Sequence, residues 1–343
     1  MTFRLRMTVA SVVFLSAQVD AQTVMGKYAG EFISIGVGGR ALAMGSAFVG
    51  VANDVSAGYW NPAALARIEY PQLMLMHDEL FGSLVNHDYG AVALPVGRTA
   101  TLGLSLIRLG VDDIPDTRNA GLDVNGNLTT DPNLFYRTDP SRVTYFSAAD
   151  WALYLTYARR HSECFSYGAN LKMIVRDLGD HSAWGLGFDV GVWYTPWENL
   201  SLGLNVQDVT RTLIVWDTGR NELISPALRL GAAYGIDALG GRFLPAADFS
   251  VRFENRRSAS TFSAGAVSVD VCGGLEYLFK SLVALRVGYT DVKQFTLGAG
   301  LYLPKVSIDY AFARFGGGGE LGNTHRVSLL FTLESADYKR AGD

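Results

Sequence analysis

The sequence predicts an all-β protein: a transmembrane antiparallel β-barrel of about 14 strands with an N-terminal hatch or plug segment inside it. Three observations carry this. Runs of roughly 9–11 residues recur in which apolar side chains alternate with small or polar ones, the pattern of membrane-spanning strands. Beyond the N-terminus no apolar run is long enough for a membrane helix. Residues Gly30 to Ala66 are rich in Gly and Ala, poor in charge, and follow neither strand alternation nor one helical stripe, which suits a segment packed inside something else.

The chain has 343 residues and a net charge of −4, with Lys and Arg scattered, so the electrostatic footprint of a nucleic-acid binder is missing. Arg4 and Arg6 precede an apolar core from Val9 to Ala17 and the small residue Ala21, which reads as a signal peptide over residues 1–21 and Sec export. Residues 22–68 are then the hatch, 69–334 the barrel and 335–343 a short periplasmic tail. Cys164 and Cys272 fall in different predicted strands and read as isolated small hydrophobes.

Within the front segment, Gly36, Gly38 and Ala41 imitate a dinucleotide-binding GxGxxA. No alternation of strands and helices follows, so the glycines are assigned to close backbone packing. Asn61-Pro62 ends a local structure, since proline removes a donor and drives Asn61 from helical angles. Arg40 and Asp54 are the few charges here and are expected to find partners in the barrel wall or in each other.

The strands begin near Tyr70–Met76 and Tyr89–Val96. Leu102, Leu104 and Leu106 then oppose Thr101, Gly103 and Ser105, and Trp151, Leu153, Leu155 and Tyr157 oppose Ala152, Tyr154 and Thr156. Tyr167 to Met173 set an apolar face against Ser166, Gly168, Asn170 and Lys172, and Leu186 to Val192 one against Gly185, Gly187, Asp189 and Gly191. The dyad recurs in 200–206, 228–234, 247–253, 269–279, 282–289, 295–301, 306–312 and 327–333. Brief turns near Gly97, His161, Glu198, Ser281 and Lys305 alternate with mostly longer polar loops, and an even strand count puts both termini on the periplasmic side. The turn at 237–242 and the short loop at Thr290-Asp291 fit this alternation least well.

The longest loop, about 110–150, carries Asp123, Asn125, Asn127, Thr129 and Asp131 at calcium-loop spacing. Leu128 and Leu134 stand where the glycine and the bidentate glutamate belong, so a turn-rich loop is expected. Gly316 to Gly319 form a loop tip by composition. His77, His87, His161, His181 and His325 are dispersed without metal-ligand spacing, and no GxSxG elbow occurs, so neither a metal, a cofactor nor an enzymatic activity is expected. Lys172, Asp189, Arg229, Glu276, Arg286 and Asp309 face inward and either line a solute path or brace the lumen as a charge network.

Gly36-Val37-Gly38-Gly39-Arg40-Ala41-Leu42-Ala43-Met44-Gly45-Ser46-Ala47-Phe48-Val49, with Val51-Ala52-Asn53-Asp54 and Tyr59-Trp60-Asn61-Pro62-Ala63-Ala64-Leu65-Ala66, resembles the N-terminal signature of the PorV/PorQ family, within the FadL-like outer-membrane barrels. Ala43, Ser46 and Ala64 stand where that pattern has Gly, Gly39 where it has Ala, and Asn53 where it has Asp. The resemblance implies a hatch in the bore, with Gly36, Gly38, Arg40, Met44, Gly45, Asp54, Trp60, Asn61 and Pro62 as its motif. It also implies the outer membrane of a Gram-negative-type bacterium. Two roles follow from it. PorV/PorQ membership implies a part in type IX secretion, with secretion components and cargo as partners and a broad apolar patch on the outer loops. The wider FadL-like group implies uptake of a hydrophobic small molecule through an enclosed apolar pocket beside the hatch, reached by an interruption in strand pairing.

Overall fold

The computed structural model describes residues 23–24, 30–254, 256, 260–314 and 323–340. The expected signal peptide, the Gly316–Gly319 tip and residues 341–343 lie outside the described residues.

Fourteen strands form the wall: β1 (Gln72–Leu80), β2 (Val85–Val96), β3 (Ala100–Asp116), β4 (Thr144–Arg160), β5 (Phe165–Asp177), β6 (Ser182–Trp197) and β7 (Leu200–Gln207), then β8 (Ala227–Tyr234), β9 (Gly241–Arg252), β10 (Val267–Phe279), β11 (Val283–Tyr289), β12 (Phe295–Leu303), β13 (Val306–Arg314) and β14 (Asn323–Thr332). Each pairs antiparallel with its sequence neighbour, and β1 also pairs with β14, Gln72 opposite Thr332, so the sheet closes without a free edge. Closure is what a bilayer demands, because an unpaired backbone edge has no water to bond in hydrocarbon.

Alternation decides which face looks out. On β3, Leu102, Leu104 and Leu106 are 49, 46 and 40 % exposed while Thr101 and Ser105 are 0 and 2 %. The apolar rows cover the outside and the small and polar rows face the bore, the reverse of a soluble sandwich. The largest buried side chains belong mostly to the front segment and the residues it touches, among them Trp60, Tyr59, Phe48 and Met44.

Several strands run past a bilayer's thickness. β3 and β4, at 17 residues each, stay paired well beyond the apolar band, across a bulge at Asp112 and Asp113. The long loop is therefore 117–143 rather than 110–150, because backbone pairing continues where the hydrophobic pattern has stopped. Inside it Asp123 takes the amides of Asn125 and Asn127, both at 2.8 Å, a turn closed on its own backbone. Residues 237–242 make a tight hairpin and 290–294 a short one, so the alternation of turn lengths holds less strictly than expected. Cys164 sits in the exposed turn before β5 and not in a strand. Cys272 is buried on β10, and both thiols are free.

One part of the wall is irregular. β7 stops at Gln207, positive φ values at Asp208 and Arg211 break the strand, and Thr212–Trp216 resumes pairing with β6, Leu213 opposite Leu186. Asn221–Ile224 returns beside it, carrying Thr23–Val24 as a parallel neighbour, before Ala227 rejoins β9.

Candidate functional site

Residues 30–68 fill the bore as short helices joined by turns: α1 (Glu31–Ser34), α2 (Gly39–Ala43), α3 (Ala57–Trp60) and the 3-10 turn Pro62–Arg67. The segment lies backbone against backbone on a track of wall glycines. A Cβ at Gly288 would stand 2.0 Å from the Gly45 nitrogen, one at Gly274 2.3 Å from the Met44 oxygen, and one at Gly203 2.2 Å from the Val49 oxygen. Gly45 itself has φ of 63° and faces Tyr289 backbone within 2.7 Å of where its Cβ would be, so it meets both conditions that require glycine. Of the glycines that imitate a nucleotide motif, Gly36 has φ of 82° and would set a Cβ 3.0 Å from the Trp60 ring, whereas Gly38, with φ of 87°, has nothing within 4 Å and is required by its backbone angle and not by close packing.

Buried backbone polar groups in the segment are met by wall side chains, as a water-excluded site requires. Asn170 and Asn205 donate to the carbonyls of Gly58 and Trp60, at 2.8 and 3.0 Å, and Ser201 donates to Gly50 at 2.6 Å. Gly39 N donates to Ser328 Oγ at 3.0 Å, and Gly38 N lies 3.0 Å from Met76 Sδ. Within the segment, Trp60 Nε1 donates to the Val37 carbonyl at 2.9 Å, tying α3 back beside Gly36 and Gly38. Asn61 spans 49 and 192 with its amide nitrogen and accepts from Ala63 N at 3.2 Å, so Pro62 begins the 3-10 turn under a side-chain cap.

Arg40 and the inward charges predicted from the sequence, Arg229 excepted, fall into two clusters. Arg40 grips Glu276 with both arms, at 2.8 and 2.7 Å, and donates to Asn53 at 2.6 Å. Glu276 also accepts from Arg286 at 2.6 Å, which reaches Asp309 at 2.7 Å. The plug is thus wired to β10, β11 and β13 through one chain of charges. Across the bore Lys172 lies 2.6 Å from Asp208 and 3.3 Å from Asp189. Among the described residues Asp54 takes no wall cation; it accepts from Ser56 N at 2.8 Å and Ser56 Oγ at 2.5 Å, because its position opens α3 and the nearest donors are local.

Arg229 stands apart from both clusters. Its guanidinium lies 5.6 Å from the centre of the Trp60 ring, at the edge of a cavity of about 270 Å³. The floor of that cavity is plug: Ser34, Ile35, Leu42, Ser46 and Trp60. Its walls come from β1, β8, β9, β10, β13 and β14 and from the turn 290–294, which places it at the end of the barrel carrying the long loops. A second space of about 50 Å³ shares Glu31, Ser34, Arg229 and Arg252 with it and reaches Ile224 and Ser225, at the irregular part of the wall. Sequence reasoning missed Asp248, Arg252 and Arg326 as cavity residues. Asp248 and Arg252 are in phase with Ser250 on the inward face of β9, a signal that was there, but Arg326 precedes the strand as the hydrophobic pattern bounds it.

The fold defines a closed outer-membrane-type barrel. Residues 6–103 match the model of the uncharacterised protein family UPF0164. A search of curated proteins finds no match. Among solved structures the chain is similar to the P. putida toluene transporter TodX, at 13 % identity over 88 % of this chain and 99 % of that one, with a TM-score of 0.59. It is similar to the Ralstonia pickettii toluene transporter TbuX, at 13 % identity over 86 and 97 % and a TM-score of 0.54. A Pseudomonas aeruginosa FadL homologue matches at 13 % identity over 85 and 96 %, with a TM-score of 0.52. At such identities the likeness is one of fold, and it defines a FadL-type barrel architecture. The PorV/PorQ assignment rests on the motif alone.

Proposed function

We propose that this protein is a non-enzymatic outer-membrane transporter that admits hydrophobic small molecules, exported under a signal peptide spanning 1–21, with residues 22–68 acting as its hatch. The observation that carries the reading is the cavity of about 270 Å³ floored by Trp60 and Leu42, with a side space leading to the break in pairing at 208–211 and 225–226. Concave, largely apolar space bounded by a few fixed polar groups is the usual form of a small-molecule site. The inward charges Lys172, Asp189, Glu276, Arg286 and Asp309 serve as braces for the hatch, whereas Arg229 faces the ligand space.

The test is purification of the tagged barrel from outer membranes, with extraction and mass spectrometry of what travels with it. A bound small hydrophobe is expected, and Ser250→Phe, which places a ring in the cavity, is expected to abolish it. Absence of any bound hydrophobe in the unaltered protein overturns the reading.

A second reading, a role in type IX secretion, draws support from the outer loop, where Val124, Leu128, Leu134, Phe135 and Tyr136 are all exposed. It expects secreted cargo or secretion components in the same purification.

A further inference from the structure

We infer that His87 is a positioning residue for charge in the cavity: a neutral ring keeps the cavity selective for uncharged hydrophobes, and a protonated ring admits anionic ones. This rests on the transport reading and refines it. His87 is in phase with Tyr89, Ala91 and Ala93 on the inward face of β2 and is 1 % exposed, whereas the other four histidines are exposed. Register sets it directly opposite Asp78 of β1, which stands opposite Arg326 of β14. The three side chains form one row across three strands, and Asp78 and Arg326 are as deeply buried as His87.

Asp78 Oδ2 accepts from Arg326 Nη2 at 2.6 Å and from Nε at 2.8 Å, and His87 Nδ1 stands 3.8 Å from the same oxygen, beyond hydrogen-bonding length. Asp78 Oδ1 and both ring nitrogens of His87 have no partner. With a neutral ring the row carries no net charge, since Asp78 matches Arg326. A proton on His87 gives Asp78 a second cation and leaves the row with one positive charge in excess. Arg326 belongs to the cavity wall with Leu80, Ala313 and Thr324. The excess charge therefore acts on a ligand through space, and His87 need not touch it. Around the ring, β1 supplies Asp78 and β14 supplies Arg326, while β3 sets Leu109 opposite it. Asp88, next to it on β2, is engaged with His77 at 2.7 Å and Arg108 at 3.4 Å. Asp78 favours a proton on the ring, and Arg326 and burial oppose it. Elsewhere on the cavity wall Arg252 is matched by Glu31 at 3.2 Å and Arg256 by Asp270 at 2.7 Å. Arg229, Asp248 and Asp291 line it with no ion pair among the described residues. Protonation of Asp248 or Asp291 also adds positive charge, so the share of His87 is read by difference.

Isothermal titration of the intact barrel in detergent with benzenesulfonate, ionised at every pH used, and ethylbenzene, never ionised, tests this at about pH 8 and about pH 4.5, either side of the ordinary histidine range. The measured quantity is the rise in the sulfonate-to-ethylbenzene affinity ratio on acidification. One charge felt across roughly 10 Å at an effective dielectric of about 20 is worth roughly tenfold, so the rise is expected to be about tenfold larger in the unaltered protein than in His87→Gln. Asp78→Asn leaves Arg326 unmatched at every pH, and at about pH 8 it is expected to bind the sulfonate as the unaltered protein does at about pH 4.5. Nitrogen NMR of the unaltered protein supplies a measurement that needs no variant. The ring signal shielded from a paramagnetic agent in solvent is His87, and by linkage benzenesulfonate is expected to increase its protonated fraction. A rise less than about threefold larger than in His87→Gln, a ring that takes no proton above about pH 4.5, or a protonated fraction unmoved by the sulfonate overturns the inference and leaves transport standing. Binding of neither probe at either pH refutes the transport reading itself.

Discussion

Glu276→Gln is the sharpest probe of how the plug is held. In the native protein this carboxylate is shared by Arg40 of the plug and Arg286 of the wall, and the side chains of Arg40 and Glu276 are only 12 and 5 % exposed. Removing one partner of a buried pair costs about 3–5 kcal/mol, because the other charge stays buried without compensation. Glutamine keeps the shape and an acceptor, and Arg286 keeps Asp309, so the low end of that range, about 3 kcal/mol, is the expected loss to plug docking. At 1.4 kcal/mol per decade this is roughly a 150-fold rise in the undocked population. Hydrogen exchange of the intact protein in lipid nanodiscs reads it directly: amides of residues 36–50 lose about two decades of protection while β3 and β4 keep theirs. The double variant Arg40→Gln with Glu276→Gln removes both charges and is expected to regain most of the protection. Exchange of 36–50 changed less than about threefold by Glu276→Gln, or a double variant no better than the single one, refutes the reasoning.

Three further predictions follow from the same structure. Gly288→Val drives carbon into the Gly45 backbone and is expected to abolish the heat-modifiable barrel on gels, whereas Gly90→Ala, whose nearest neighbour is a Leu75 methyl at 3.9 Å, is expected to be silent. Arg340, 5 % exposed, donates to the carbonyls of Ile68 at 2.8 Å and Ala100 at 2.8 Å and to Thr101 Oγ1 at 2.6 Å. Arg340→Ala is expected to cost about 2–3 kcal/mol locally and to open the plug-to-barrel link to trypsin after Arg67. In the long loop, hydrogen bonding from the Asn127 amide holds the Asp123 carboxyl below its ordinary 3.8, and bonds from Ser141 do the same for Asp139. A lowered folded value means the turns gain support above pH 3.8 and lose it as pH falls through the lowered values. The amide resonances of Asn125, Asn127 and Ser141 should therefore move together below that point, and shifts unchanged down to pH 2 contradict the assignment.

Much of the architecture was legible from residue order because a membrane-spanning strand announces itself locally. Its two faces meet different solvents, so Leu102, Leu104 and Leu106 alternate with Thr101 and Ser105 whatever lies elsewhere in the chain. The plug was legible for a related reason: a charge-poor stretch of Gly and Ala has no stable place in water and no length to cross a bilayer. Other features depended on distant partners. The phase of β9 marks Asp248 as inward, yet only closure of the barrel sets its carboxylate against the Phe48 and Val49 amides, 200 and 199 positions away. Arg40 was visible as a charge needing a partner, but Glu276 was one of several candidates until register placed β10 beside it. The end of the strand near Gln207 was legible, but the resumption at Thr212–Trp216 and the return at Asn221–Ile224 were not, since they arise from how β6, β7 and the returning hairpin share hydrogen bonds. Solvent contrast acts residue by residue and so is written into the order of the chain, whereas cavities and ion pairs arise from residues brought together by closure of the wall and appear only in the folded molecule.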